Sequence, residues 1–243
     1  RLRRFIQLVS NSTVNLFLEN VDAGYGISQV LFDVSMDNFG GSTAILGRNG
    51  AGKSTLLKTI AGEIKPNKGD IVFDGKNLSN VSTDARARSG MAYVPQEDSV
   101  FLKLSVQENL RLGTSSSKNY SPADMDMVLD FFPKLSQRLD QQAGTLSGGE
   151  RKMLAISRAL IARPKLIMLD EPTEGVWIGV IEEIADRLRQ LSKEIAIILV
   201  EQHIELAFEV CDYAYVMDRG KIPLKGKSEE IKNSSELMRH LAP

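Results

Sequence analysis

The sequence predicts an α/β fold with a lobe of helices inserted into it. Three observations carry that expectation. Short apolar runs alternate with longer stretches of helical period, as in chains that build a largely parallel sheet. One of the apolar runs passes through a glycine-rich turn straight into a helical pattern. Between about residues 97 and 163 strand signals stop and helical patterns take over.

Taken in order, Leu16 to Val21, Val30 to Met36 and Thr43 to Leu46 read as strands, the third ending in the glycine-rich turn. Ser54 to Ala61 reads as a helix closed by Gly62, since glycine favours a helix C-terminus. A turn at Pro66-Asn67-Lys68-Gly69 leads to strand Ile71 to Phe73, and strand Met91 to Val94 is cut off by Pro95. The inserted lobe shows helical periods at Val106 to Leu112, Asp124 to Phe132 and Glu150 to Ala162, and Thr114-Ser115-Ser116-Ser117 reads as a loop. Strands return at Leu166 to Leu169, Ala196 to Val200 and Tyr213 to Met217, with a helix from Val180 to Leu191 between the first two. From Ser228 a short closing helix is expected.

Composition bounds the function. The 243 residues suit one large domain or two joined lobes, here a single domain over 14–243 after an extension over 1–13. Thirty basic residues against 31 acidic ones leave a net charge of -1, which argues against a nucleic-acid binder. The single cysteine, Cys211, excludes an internal disulfide framework and reads as a small buried hydrophobe. No stretch reaches the roughly 18 to 20 apolar residues that cross a bilayer, so any membrane work is expected through partners. Arg1 to Ser12 carries Arg1, Arg3 and Arg4 and lacks the apolar region of a secretory signal.

Gly47-Arg48-Asn49-Gly50-Ala51-Gly52-Lys53-Ser54-Thr55 fits G-x-x-x-x-G-K-[ST] between a strand and a helix. Glycines let the backbone curl so that N–H groups point at phosphate oxygens, and the helix adds its positive end. Lys53 is expected at the β- and γ-phosphates and Ser54 on Mg²⁺. The run Leu166-Ile167-Met168-Leu169 then delivers Asp170 and Glu171 to the C-terminal edge of a buried strand, where such sheets place ligands. Asp170 is expected to hold Mg²⁺ opposite Ser54, and Glu171 to polarise an attacking water. Alone, the acidic pair would read as a solvated turn; beside the phosphate loop it reads as half of a hydrolytic site.

Leu146-Ser147-Gly148-Gly149-Glu150 precedes the carboxylate strand and closely resembles the signature of the ABC (ATP-binding cassette) ATPases. Gln96 matches that family's Q-loop and Tyr25, in Gly24-Tyr25-Gly26, its adenine-stacking aromatic. The resemblance runs from about Val14 to Leu241 with every motif in order. It implies a P-loop NTPase core, an antiparallel β subdomain and the helical lobe. It also implies ATP and Mg²⁺ as cofactors, with Gln96 joining Ser54 and Asp170 at the metal. Two cassettes, identical or different, would pack head to tail, so that Ser147, Gly148 and Gly149 of each clamp the ATP of the other. Transmembrane permease subunits would be the further partners, and the chain would sit in the cytoplasm at the inner face of the cell membrane.

Tyr93-Val94-Pro95-Gln96, Glu171-Pro172-Thr173-Glu174-Gly175 and Leu199-Val200-Glu201-Gln202 resemble the branched-chain amino-acid importer group, whose relatives handle urea and short amides. Phe101 to Leu110 would then meet a permease or form lobe core. Gln202 stands at the family's switch position, with His203 next. Val176-Trp177-Ile178 departs from the family pattern, and the Trp177 ring is expected to fill a local pocket, with packing against a partner as the alternative. A weakly hydrolysing regulatory partner and a non-transport ABC protein are the rival readings.

Overall fold

A computed structural model describes residues 15–38, 40–97, 99–114 and 121–241 of the chain. The expected extension over 1–13 and the Ser115 to Ser117 part of the loop lie outside the described residues.

Strands β1 (Leu16–Tyr25) and β2 (Ser28–Asn38) form an antiparallel hairpin, with Tyr25 paired to Ser28 at its tip. Strand β3 (Ser42–Gly47) is buried throughout and runs into helix α1 (Lys53–Ala61). Strands β4 (Lys68–Phe73) and β5 (Lys76–Asn77) follow, then helix α2 (Thr83–Arg88) and strand β6 (Met91–Val94). The inserted lobe holds α3 (Val106–Gly113), α4 (Pro122–Phe131) and α5 (Gly148–Leu160), with short 3-10 turns between the last two. The chain then alternates β7 (Leu166–Asp170), α6 (Ile178–Leu191), β8 (Ala196–Val200), α7 (Ile204–Val210) and β9 (Tyr213–Asp218). It closes with β10 (Lys221–Lys227), α8 (Ser228–Lys232) and α9 (Leu237–Leu241).

Two sheets result. One is four-stranded in the order β2-β1-β4-β5; the other is six-stranded in the order β10-β9-β3-β8-β7-β6. In the second, β3, β6, β7, β8 and β9 pair in parallel and β10 alone is antiparallel. Because side chains alternate along a strand, each central strand feeds two cores. Ala44 and Leu46 of β3, and Ile197 and Leu199 of β8, pack toward the inserted helices. Ile45, Ile198 and Val200 pack on the other face with α1 and the hairpin.

Several elements escaped the sequence reading. Strand β10 has an exposed Lys at both ends and one in between, and a central Pro223, which suits an edge strand better than a core one. Helices α2 and α7 are too short for a clear period, and the tail from Ser228 holds two helices where one was expected. Arg86 of α2 is 1% exposed. Its guanidinium donates to the carbonyls of Thr59 at 2.9 Å and Ile60 at 2.8 Å, so it satisfies the last turn of α1 and fixes that helix from its C-terminal end.

Candidate functional site

The phosphate loop lies between β3 and α1. Gly47 (φ 153°) and Gly52 (φ 105°) adopt backbone angles that strain other residues, and a Cβ on Gly47 would stand 2.5 Å from the Met217 carbonyl oxygen. Lys53 is buried, and its Nζ donates to the Gly47 carbonyl at 2.9 Å and the Arg48 carbonyl at 3.1 Å. It stands 3.5 Å from Glu171 Oε1.

Strand β7 carries the acidic pair to the same place. Ser54 Oγ donates to Asp170 Oδ1 at 3.1 Å, and Tyr93 Oη donates to Asp170 Oδ2 at 3.1 Å. Burial raises the Asp170 carboxyl above its ordinary value, opposed by these two hydroxyl bonds. Glu171 is 4% exposed and has a left-handed backbone, φ 48°, held by a 2.9 Å bond from its N–H to the Val200 carbonyl. For a residue with a Cβ this conformation is uncommon, and such positions concentrate at functional sites. Its Oε2 accepts from Gln96 Nε2 at 3.0 Å and from Gln202 Nε2 at 2.9 Å. One carboxylate thus collects two amides from the loops that follow β6 and β8 and a lysine from the start of α1.

Lys53, Ser54, Gln96, Asp170, Glu171 and Gln202 therefore form one connected cluster. A cavity of about 320 Å³ at its edge is lined by Gly47, Arg48, Asn49, Glu201, Gln202, Ile204 and Leu241. Gly50, Ala51 and Thr55 complete the turn and the first helical residues. Of the two candidates at the switch position, Gln202 reaches Glu171, while His203 is exposed at the N-terminus of α7.

Tyr25 and the glycine-rich signature stand apart from this cluster. Tyr25 is 51% exposed at the hairpin tip. Ser147 caps α5: its hydroxyl accepts from the Glu150 N–H at 3.2 Å while the Glu150 carboxylate accepts from the Ser147 N–H at 2.9 Å. Ser147 lines a different cavity, with Arg138 and Val180. Gly149 is close-packed, since a Cβ there would lie 2.6 Å from Val180 Cγ1.

A comparison with protein families decides what this arrangement belongs to: the ABC transporter family model matches residues 31–174. The chain is a member of the ABC transporter family. The branched-chain amino acid transport ATP-binding protein BraG of Pseudomonas aeruginosa is 41% identical over 210 residues, 85% of this chain and 90% of that protein. The probable protein LivF of Archaeoglobus fulgidus, described in the same terms, is 39% identical over 87% of this chain and 91% of its own length. The lipopolysaccharide export ATP-binding protein LptB of Haemophilus influenzae is 34% identical over 92% and 95%. Among solved structures, a nucleotide-free ATP-binding cassette from an ABC transporter superposes with a TM-score of 0.82 at 32% identity, covering 90% of this chain and 94% of that one. The chain is thus an ATP-hydrolysing, ATP-binding subunit of an ABC transporter with the P-loop cassette fold. No helix among the described residues is long and apolar enough to cross a membrane.

One expectation for this cassette is corrected. Trp177 does not fill a local pocket: it is 75% exposed and Ile178 beside it 60%. Trp177 precedes α6 and its ring lies over Gly179, where an added Cβ would meet Cζ3 at 2.3 Å. The missing side chain makes room for the ring outside the helix, so the indole needs no pocket. Phe101 to Leu110 divides, with Phe101 and Leu102 exposed and Val106 and Leu110 in the core. Cys211 is buried, and burial raises its thiol, as a small core hydrophobe requires.

The sequence reading missed three contributors to the cassette's site. Tyr93 was seen only as part of a motif, yet its hydroxyl holds Asp170. Glu201 is buried and accepts from the Thr173 N–H at 3.1 Å and hydroxyl at 2.7 Å, which ties the loop after Glu171 to the strand that carries Gln202. Lys152 donates to the backbone carbonyls of Gln96 and Glu171. Lysine on a helix is ordinarily a solvated residue, and only its place beside the signature hinted at more.

Proposed function

We propose that this subunit powers import of branched-chain amino acids or similar small polar solutes through a membrane permease, working as one of two paired cassettes at the cytoplasmic face. What supports the hydrolytic assignment most directly is the Glu171 carboxylate, on which Gln96, Gln202 and Lys53 converge at 3.0, 2.9 and 3.5 Å. Glu171 orients the attacking water, Lys53 and the loop amides hold the phosphates, and Gln202 donates toward the γ-phosphate. Tyr25 stacks on adenine, and Ser147, Gly148 and Gly149 close on the nucleotide of the partner cassette.

The site suits Mg²⁺, a hard cation that takes oxygen ligands. Ser54 Oγ and Asp170 Oδ1 stand 3.1 Å apart, and the buried Asp170 carboxylate gains from a cation beside it. Ser54, Asp170 and the Gln96 side-chain oxygen would hold the ion, which neutralises charge on the β- and γ-phosphates when bound.

The names of BraG and LivF support the solute class, while the likeness to LptB keeps an exporter as the second reading. The test is reconstitution with the permease that co-purifies with the chain, in vesicles that trap labelled leucine, urea or lipopolysaccharide. ATP-driven leucine or urea uptake supports the import reading. Movement of lipopolysaccharide alone would replace it with export. ATP turnover of the isolated chain and of the complex separates a working motor from a weakly hydrolysing regulatory partner.

A further inference from the structure

Helix α5 begins at the signature and carries Lys152 one turn on. Lys152 Nζ donates to the backbone carbonyl of Gln96 at 2.6 Å and to that of Glu171 at 3.3 Å. The side chain of Gln96 in turn donates to the Glu171 carboxylate at 3.0 Å. The three residues close a triangle: Lys152 fixes the backbone of Gln96, Gln96 fixes the carboxylate of Glu171, and Lys152 fixes the backbone of Glu171. Glu171 is also the residue whose backbone is left-handed, so its carbonyl points where few residues would send it. An ammonium donating to that carbonyl stabilises the conformation, through a charge-assisted bond stronger than a neutral one.

The surroundings show that this lysine is held rather than solvated. Burial lowers its ammonium below the ordinary value, while the charges of Glu174, Glu201, Asp170 and Glu171 pull it back up. Lys152 is half-buried, and its two bonds to backbone carbonyls offset the water it has lost.

We infer that Lys152 is a positioning residue for hydrolysis, which locks Glu171 and Gln96 into one rigid unit with the signature helix. Resting on the reading of Glu171 as the water-orienting carboxylate, the inference ties that carboxylate's aim to the seating of the inserted lobe. If α5 rotates away from β7, the carbonyls of Gln96 and Glu171 lose their shared donor, and the carboxylate loses its aim while the phosphate loop stays intact. Lys152 touches neither nucleotide nor water in this scheme. Its removal therefore reads out in turnover and not in nucleotide affinity.

The test is steady-state ATP turnover of the full chain, with nucleotide affinity measured by titration. Lys152→Met keeps the length of the side chain and removes the donor. Expected is a fall in kcat of about ten- to thirtyfold, about 1.4 to 2 kcal/mol of barrier, with KM for ATP and nucleotide affinity near parental. Lys152→Arg, which keeps charge and donors, should recover most of the loss. In a Gln96→Ala background the Lys152→Met effect should shrink, because the path through the Gln96 side chain is already broken and only the bond to the Glu171 carbonyl remains to be lost. Parental kcat in Lys152→Met, an additive double variant, or a loss matched by equal loss of nucleotide affinity would each overturn the inference. Should Lys152→Met fail to fold, Lys152→Arg decides alone: kcat near parental supports a donor role, and a kcat loss with an unchanged melting curve is against it. Glu171→Gln serves as the control for the underlying reading. If that variant turns over normally, the water-orienting role itself is wrong; if it is inactive while Lys152→Met is normal, only the positioning role fails.

Discussion

Replacing Glu171 by Gln should separate nucleotide binding from hydrolysis. Oε2 of Glu171 accepts from Gln96 Nε2 at 3.0 Å and Gln202 Nε2 at 2.9 Å, and Oε1 lies 3.5 Å from Lys53 Nζ. Both amides present N–H donors, so a glutamine at this position has to turn its own oxygen toward them and its NH₂ toward Lys53. Shape is kept; charge is lost. A bond to a charged acceptor contributes about 1.5 to 3 kcal/mol and a neutral one about 0.5 to 1.5, so each amide bond weakens by roughly 1 kcal/mol. Lys53 keeps its bonds to the carbonyls of Gly47 and Arg48, so the loop does not open. The loss of a group able to hold and deprotonate water is larger, about 10² to 10⁴ in rate, or about 3 to 5 kcal/mol of barrier. The second effect dominates. The variant should fold, bind ATP with near-parental affinity in magnesium buffer, and release phosphate at least about a hundredfold more slowly. Sizing chromatography with ATP should show two cassettes held together by the uncleaved nucleotide. Near-normal phosphate release would refute the assignment of Glu171.

Three further substitutions test other parts of the site. Lys53→Ala should weaken ATP binding at least about tenfold, or 1.4 kcal/mol, by titration calorimetry; unchanged affinity counts against the phosphate-loop reading. Tyr25→Ala should cost about 1 to 3 kcal/mol of affinity for ATP and GTP alike, since stacking is blind to base edges, and a loss confined to ATP sinks the proposal. Gln202→Ala should slow turnover about tenfold through its lost bond to Glu171, and His203→Ala should leave it near parental. The opposite pattern would make His203 the switch residue.

Much of the cassette is legible in its sequence. Ala196 to Val200 is apolar at every position, short and rich in β-branched residues, as a strand buried on both faces is, and the observed bounds match. The phosphate loop was legible because its geometry is local: glycines at 47, 50 and 52 permit the turn, and Lys53 follows within the same stretch. Strand β10 was not legible, because an edge strand rich in lysine has no apolar run to betray it.

The sequence by itself determined the buried strands, the glycine-rich loop and the longer helices, though not β10, α2 or α7, and it placed Asp170, Glu171 and Gln202 at strand ends. Only the tertiary structure decided which of those residues meet. Asp170 pairs with Val200 and Val94 with Leu169, and this register brings Gln202 and Gln96 to either side of Glu171. A register shift of one residue would turn each of these strands over and disperse the cluster without changing a single local preference. The same holds for Arg86 under α1 and for Lys152 between two carbonyls. Each depends on contacts between segments far apart in the chain, where composition is silent and packing chooses the partner.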